Sequence, residues 1–278
     1  MVDSLLINIL TYGIFLLGYV TVVFFIAQLR RDNSVMDIAY GPAFIVSALL
    51  TLWWTMERDL LPVLMAGLMG IWAVRLAGRI YQKNNRQPED TRYAAWRALW
   101  RKRGVGYFVL RSYLQINLLQ GVIILLVALP FIISLTTTVA EADTLSWLFM
   151  LVGLGVYGLG LGIESIADYQ LDQFLTRKRV DTEPAILMTT GLFRYCRRPN
   201  YFGETLIWWG LAIMVLPLPF GYLALVSPLI ITYIVTKVTG PMLEKLFLEK
   251  YPDAYRSYMK TTSYFIPWPP SKTPNSLL

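Results

Sequence analysis

The chain has no histidine, and Cys196 is the one cysteine among its 278 residues. The lack of histidine excludes a Ser–His–Asp triad, imidazole acid–base catalysis and a His-ligated metal. A single cysteine excludes an internal disulfide and a cysteine-rich zinc or iron–sulfur site, so we expect no metal. Charge is also scarce: 15% of the residues are charged, 56% are hydrophobic, and the mean hydropathy is +0.50. A soluble domain is about a quarter charged, so this composition indicates an integral membrane protein.

Long apolar stretches fill much of the sequence and leave no room for a separate soluble domain. Seven of them approach or exceed the roughly 20 residues that cross a bilayer as a helix. The predicted spans cover residues 5–29, 38–54, 61–80, 109–135, 145–166, 201–216 and 220–236. The sequence therefore predicts an all-α, polytopic integral membrane protein with seven transmembrane helices in a single transmembrane domain, residues 1–278.

The basic residues predict the orientation of these spans. Most of the 25 Lys and Arg residues fall in the tail and in the connections after spans one, three and five, whereas the opposite connections hold Arg58 alone. By the positive-inside rule, the N-terminus faces out and the C-terminus is cytoplasmic. The net charge of +7 then reflects topology, so we expect a multi-pass protein of the cell membrane (the inner membrane in a Gram-negative cell) and no nucleic-acid partner.

An aromatic and basic segment follows the third predicted span. Tyr93, Trp96 and Trp100 recur there at helical spacing among several Arg and Lys residues. This pattern is typical of a helix that lies on the anionic inner leaflet, in contact with membrane lipids. Membrane anchoring is the preferred interpretation over substrate contact.

One glycine motif matches a nucleotide-binding fingerprint by letter alone. Gly153, Gly155 and Gly158 fit G-x-G-x-x-G, which binds a pyrophosphate only between a strand and a helix. Here the motif lies within a span, where its N–H groups are used by the helix. Close helix packing through small residues, including Gly158 and Gly162, explains it better.

Three groups of polar residues with one-turn spacing lie at membrane depth or at its cytoplasmic edge. They are Glu164, Asp168 and Asp172; Asn200, Glu204 and Trp208; and Asp37 with Tyr40. Such residues are costly to bury, which favours a functional site facing the interior of the bundle. Helix capping and interhelical hydrogen bonds are the structural alternative. Two of the groups flank one arginine-rich loop, which favours a shared site.

That loop, residues 191–204, reads GLFRYCRRPNYFGE. Its arginines offer planar forks for phosphates, its aromatic rings offer stacking faces, and a helix begins directly at Pro199. Nearby carboxylates suit ribose hydroxyls or an amide. The pattern predicts a site for a charged nucleotide whose reactive end reaches an apolar cavity. Surface attraction to lipid headgroups is the competing interpretation.

This part of the chain resembles the C-terminal domain of the steroid 5-alpha-reductase family, most closely its bacterial membrane relatives. The matching pieces are Glu164-x-x-x-Asp168-x-Gln170-x-x-x-Phe174, GLFRY through NYFGE in the loop, Trp208-Trp209-Gly210, and a tail that runs from Gly240-Pro-x-Leu-Glu244-Lys245 through Tyr251-Pro to Phe265-Ile-Pro. The resemblance covers residues 145–270 well and the first three spans weakly. It implies an NADPH-dependent reductase of a carbon–carbon double bond conjugated to a ketone, typically in a 3-oxo-Δ4-steroid, which enters from the bilayer and leaves as the 5-alpha-reduced steroid.

The resemblance also implies a role for each matching residue. Spans one to four, residues 1–135, would form the substrate half, and residues 145–270 the cofactor half. The expected NADPH ligands are Asn200, Tyr201 and Glu204 with Trp208 at the nicotinamide end; Glu164 and Asp168 at the sugar or base; Arg194, Tyr195, Arg197 and Arg198 at the phosphates; and Lys237, Glu244 and Lys245 closing the site.

The chain departs from the family at several of these positions. Arg198 stands where relatives usually have histidine, and Cys196 where they have serine. The family polarises the ketone with a glutamate and a tyrosine, but here Asp37 is the nearest acid and Trp72 occupies the tyrosine position. We therefore predict Asp37 and Tyr40 as the catalytic pair. The predicted substrate contacts are Trp72 and Arg75, the first and last residues of the segment Trp-Ala-Val-Arg.

Two other functions fit parts of the pattern. An S-adenosylmethionine-dependent membrane methyltransferase of the isoprenylcysteine carboxyl methyltransferase type shares the Arg-x-Pro motif and a similar C-terminal end. A non-enzymatic lipid- or sterol-binding protein would need neither carboxylate group. The missing histidine and the acidic face at Glu164 and Asp168 favour the reductase over the methyltransferase.

Overall fold

A computed structural model describes residues 2–84, 89–136, 144–180 and 186–271. These residues form helices and no strand, and an isolated parallel bridge joins Cys196 to Ser263. The α-helices are α1 (Val2–Arg30), α2 (Val35–Thr55), α3 (Leu60–Asn84), α4 (Thr91–Arg101), α5 (Val105–Ser112), α6 (Leu119–Val127), α7 (Leu129–Ser134), α8 (Thr144–Arg179), α9 (Pro199–Val215), α10 (Val226–Tyr233), α11 (Gly240–Lys250) and α12 (Pro252–Thr261). The predicted all-α class is confirmed for the described part of the chain.

Among the described residues, six segments are long and apolar enough to cross a membrane. They are Val2–Arg30, Val35–Thr55, Leu60–Gln82, Val105–Val127, Thr144–Arg179 and Gly221–Lys250. The protein is therefore a multi-pass membrane protein. The sixth predicted span corresponds to α9, which has 17 residues and falls short of the roughly 20 that span a bilayer. The count of seven and the orientation stay predictions.

The chain divides into two compact units. One comprises Met1–Trp147 with Val215–Val226, and the other comprises Leu148–Met214 with Ser227–Leu278. All residues predicted to bind the cofactor belong to the second unit, and those predicted for catalysis and substrate belong to the first.

Helices α1, α2 and α3 form the core of the first unit. Their fully buried aromatic residues include Tyr12, Phe44 and Trp72. Gly41 of α2 permits a close approach to α3, because a Cβ atom there would lie 2.9 Å from the Ala73 carbonyl oxygen. Small residues at such contacts let helix backbones approach where hydrophobic burial alone gives little drive.

In the second unit, α8 and α9 pack through a seam of glycines. A Cβ atom on Gly153 would lie 2.5 Å from the Gly210 carbonyl oxygen, and one on Gly160 would lie 2.7 Å from the Gly203 carbonyl oxygen. The glycine-rich stretch is thus a helix-packing feature, as predicted. The specific pair was wrong: a Cβ atom on Gly158 or Gly162 would meet nothing within 4 Å, because these two glycines lie on another face of α8.

Candidate functional site

Buried carboxylates of α8 meet the first turns of α9. Glu164 and Asp168 are both buried. A Cβ atom on Gly203 would lie 2.6 Å from the Glu164 backbone nitrogen, so the absence of a side chain at Gly203 brings α9 directly against Glu164. Asn200 is half-buried and lies one turn before Gly203 on the same side of α9. The acidic stripe of α8 and the Asn200 stripe of α9 therefore share one site.

Tyr201 lies close enough to several of these groups to interact with them electrostatically. Its phenol interacts electrostatically with Arg198, Glu204, Tyr264 and Asp168. Asp168 belongs to α8 and Glu204 to α9. Arg198 lies in the loop just before α9, and Tyr264 lies in the segment after α12. Trp208, one turn beyond Glu204, is fully buried. Of the predicted cofactor ligands, the set on α8 and α9 is thus brought together.

Gln170 docks the arginine-rich loop onto α8. The Leu192 N–H donates to the Gln170 side-chain oxygen over 2.9 Å. Gly191 has a φ of +59°, and a Cβ atom there would overlap the Gln170 amide. Glycine is therefore needed both for the left-handed backbone and for the space. This contact gives a physical reason for two residues of the matching motif.

Arg197 is engaged within the protein rather than exposed for a ligand. Its Nε and Nη2 atoms lie 2.9 and 2.8 Å from Glu244 Oε1. Its Nη1 atom donates to the carbonyl oxygens of Thr262 at 2.6 Å and Met259 at 3.4 Å. With 7% of its surface exposed, Arg197 joins the loop before α9 to α11 and to the C-terminal end of α12. The same contacts occupy Glu244, which was also predicted at the cofactor.

The C-terminal segment holds the arginine-rich loop in place. The Arg197 N–H donates to the Ser263 carbonyl over 2.8 Å, and the Trp268 N–H donates to the Tyr195 carbonyl over 3.0 Å. The Cys196 thiol donates to the Phe265 carbonyl over 2.8 Å. Burial raises the pKa of this thiol to about 11, so it remains a neutral donor at physiological pH.

Arg198 borders a cavity of about 380 Å³ inside the second unit. Its guanidinium carbon lies 5.2 Å from the centre of the Phe247 ring. Its Nε and Nη2 atoms are buried and have no hydrogen-bond partner among the described residues. The walls are apolar and aromatic, formed by side chains of α8, α11, α12 and the loop between α8 and α9, and Lys178 and Lys250 each lie over the Tyr251 ring. The chemistry suits an anionic group at Arg198 joined to a flat or apolar body.

The remaining predicted phosphate ligands lie elsewhere on the second unit. Arg194 and Tyr195 are exposed, and Arg194 borders a shallow depression with the hydroxyl groups of Thr189 and Thr261. Lys237 and Lys245 are exposed as well. The three loop arginines therefore face three different surroundings and do not form one clamp.

In the first unit, Asp37 is paired with a tyrosine that the sequence did not single out as functional. The Tyr93 hydroxyl donates to Asp37 Oδ1 over 2.6 Å, and Arg92 Nη2 lies 3.6 Å from Asp37 Oδ2. The Gln120 amide donates to the Tyr93 hydroxyl over 3.4 Å. Burial, followed by the neighbouring Asp37 charge, raises the pKa of Tyr93 well above its usual range, so Tyr93 remains a donor. Tyr93 and Trp100 are both buried and lie two turns apart, a spacing that marks the inner face of α4.

The other predicted catalytic and substrate residues lie along α2 and α3. The rings of Tyr40 and Trp72 each pack edge-on against Phe44, with centre-to-centre distances of 5.4 Å in both cases. Arg75 is half-buried and follows Trp72 by about one turn of α3. Phe44 thus joins the predicted donor to a predicted substrate contact.

Comparison with known proteins places the chain in a family. It matches the family described as Protein of unknown function (DUF1295) over residues 23–262, and it belongs to that family. It is also similar to the uncharacterized protein C594.04c of Schizosaccharomyces pombe, with 27% identity over 230 residues. That alignment covers 74% of this chain but 63% of the relative, so the chain spans less than two thirds of the relative's length. No solved structure matches the chain.

Proposed function

We propose that this DUF1295 protein is an NADPH-dependent reductase of a carbon–carbon double bond conjugated to a ketone in an apolar membrane substrate. A 3-oxo-Δ4-steroid, reduced to the 5-alpha product, is the substrate class that the family resemblance favours. The observation that carries the proposal is the meeting of buried Glu164 and Asp168 with the start of α9, where Glu204 and Arg198 share the surroundings of Tyr201.

The groups at this site suit the parts of a dinucleotide. Carboxylates accept hydrogen bonds from ribose hydroxyls and from a carboxamide, which is the role we propose for Asp168 and Glu204, with Asn200 beside them. Arg198 supplies buried guanidinium nitrogens for a phosphate, and the aromatic cavity next to it offers a surface for a base. When bound, NADPH supplies the hydride.

Arg197 and Glu244 have a positioning role in this proposal. Their ion pair ties the loop that carries Arg198 to α11, which would preorganise the loop for a ligand. Preorganised groups lose less conformational entropy when a ligand binds. The proposed phosphate contact then falls to Arg198, whereas Arg194 and Tyr195 lie apart from it at the exposed end of the loop.

Reduction of an enone builds negative charge on the ketone oxygen, which requires a hydrogen-bond donor aimed at that oxygen. The single hydroxyl proton of Tyr93 is used in the hydrogen bond that Tyr93 donates to Asp37, so Tyr93 is a positioning residue for the Asp37 carboxyl group. Tyr40, on the same helix as Asp37, is the donor that we propose. The first unit would thus orient the ketone, while the apolar helices around it exclude water.

The test compares Glu204→Gln with Glu249→Gln in purified, detergent-solubilised protein. Both changes remove one carboxylate at almost constant shape, but Glu249 is exposed on α11 near Lys245. Loss of a charged hydrogen bond at Glu204 should weaken NADPH binding about 10- to 100-fold, while Glu249→Gln leaves it unchanged. NADPH fluorescence measures binding, and NADPH consumption with progesterone measures turnover.

Equal NADPH affinity and equal turnover in the two variants would refute the cofactor site. If NADPH binding depends on Glu204 but progesterone is not consumed, the proposed reductase activity would stand, and the substrate would be another apolar enone rather than a steroid. Binding of S-adenosylmethionine in place of NADPH would favour the methyltransferase.

A further inference from the structure

Four basic side chains gather where α4 turns into α5, outside every group assigned above to cofactor or substrate. They are Arg101, Lys102, Arg103 and Arg111, which we call the arginine corner. Gly104 makes the turn with a φ of +106°, a conformation that favours glycine. Because the segment Val105–Val127 is able to span a membrane, we expect the corner to lie near the headgroup region, with Arg111 in the first turns of that segment.

Two of these arginines converge on one phenol. Arg103 Nη1 and Arg111 Nε lie 3.2 and 3.0 Å from the Tyr107 hydroxyl oxygen. Guanidinium groups held this close repel each other, and a neutral hydroxyl offsets only part of that repulsion. An anion that bridges the two groups would be stabilised by both.

No acid of the chain neutralises the corner within the described residues. The sequence has no Asp or Glu from residue 91 to residue 140. The acids just before this stretch are already used, since Glu89 pairs with Arg97 at 2.7 Å and Asp90 with Arg92 at 3.0 Å. The corner therefore carries a local positive charge that an external anion would balance.

Exposed apolar side chains surround these charges. Leu99 on α4 is 57% exposed and Val105 at the start of α5 is 75% exposed. Trp96 and Leu110 are exposed on the same two helices. A free phosphate would use only the guanidinium groups, whereas a ligand with acyl chains would also cover this apolar surface.

We propose that the arginine corner binds the phosphate headgroup of an anionic phospholipid, with Arg103 and Arg111 as the bridging pair. Juxtamembrane basic groups attract anionic lipid by about fivefold in affinity for each charge near the surface. The two arginines should therefore account for about a 30-fold preference for an anionic over a zwitterionic phospholipid.

The experiment titrates phosphatidylglycerol or phosphatidylcholine into the detergent-solubilised full chain and measures bound lipid by native mass spectrometry. The double variant Arg103→Gln/Arg111→Gln should lose most of the preference for phosphatidylglycerol. The matched control Arg256→Gln/Lys260→Gln removes two charges from α12 and should keep it. The double variant Arg103→Lys/Arg111→Lys keeps both charges but lacks the forked geometry of the guanidinium groups. Its preference for phosphatidylglycerol should therefore fall by a few-fold only.

A preference that survives in the glutamine double variant, or that falls equally in the control, overturns the site. Displacement of phosphatidylglycerol by excess inorganic phosphate would overturn the lipid and indicate a free-anion site. Should the glutamine variant not fold, judged by elution and thermal unfolding in phosphatidylcholine, Tyr107→Phe carries the test. It removes the phenol oxygen that gathers the pair and should reduce the preference a few-fold, and an unchanged preference contradicts the proposal.

Discussion

Replacing Arg197 separates a structural role from a ligand-binding role in the arginine-rich loop. In Arg197→Gln, Glu244 loses both guanidinium contacts, and the carbonyl oxygens of Thr262 and Met259 lose a charged donor. Breaking a buried ion pair by removing one partner costs about 3–5 kcal/mol, because the remaining charge is left without compensation. Since Glu244 is partly exposed, we expect the lower end, about 3 kcal/mol.

The assay is thermal unfolding of the purified protein, with Arg197→Gln, Glu244→Gln and the double variant compared as a cycle. Each kcal/mol shifts Tm by about 2–4 °C in a protein of this size class, so Arg197→Gln should lower Tm by about 6–12 °C. The double variant should be less destabilised than the sum of the single variants, since either change alone breaks the same pair. Arg198→Gln, which lacks such a pair, is the matched control and should leave Tm nearly unchanged.

The reasoning fails if Arg197→Gln unfolds at the same temperature as the parent protein and weakens only NADPH binding. That result would mean that Arg197 leaves Glu244 in solution and serves as a phosphate ligand, as the sequence alone suggests. Additive effects of the two single variants would equally contradict the ion pair.

Two further predictions concern single side chains. Tyr40→Phe should lower turnover of an enone substrate by about 10²-fold or more with NADPH affinity unchanged, as expected for loss of a donor to a developing oxyanion. Tyr93→Phe should lower turnover less. A larger loss of turnover in Tyr93→Phe than in Tyr40→Phe would exchange the two roles. Because burial raises the pKa of Cys196 to about 11, the folded protein should resist alkylation by iodoacetamide at pH 8. The denatured protein should react readily. Rapid labelling of the folded protein would contradict the hydrogen bond from Cys196 to the Phe265 carbonyl.

The sequence predicted the helices and the general purpose of the glycines because both depend on local properties. Apolar length determines which segments form helices in a membrane, and a glycine motif within such a segment has no free N–H groups to offer a phosphate. The sequence alone could not show whether Gly158 or Gly160 packs against the neighbouring helix. Every fourth or seventh residue is an equal candidate until the partner helix is known, and α9 meets α8 along Gly153 and Gly160.

The fate of individual charged residues was much harder to predict. Arg194, Arg197 and Arg198 are near neighbours in sequence, yet one is exposed, one is paired with Glu244 and one borders a cavity. Their directions depend on where α11 and the C-terminal segment cross the loop, which is tertiary information. The same holds for Tyr93, whose contact with Asp37 spans 56 residues and two helices.

The tail of the family resemblance has a structural explanation. In the π-helical segment Ile234–Thr239, the Thr236 carbonyl accepts the Tyr264 hydroxyl over 3.0 Å. A Cβ atom on Gly240 would overlap that hydroxyl group, so glycine is the residue that permits the contact. Tyr264 then leads directly into Phe265, whose carbonyl accepts the Cys196 thiol within the arginine-rich loop. Gly240 and Phe265 of the matching tail therefore help to hold the loop that carries Arg198, and we expect a substitution of Gly240 to act on the site through the position of this loop.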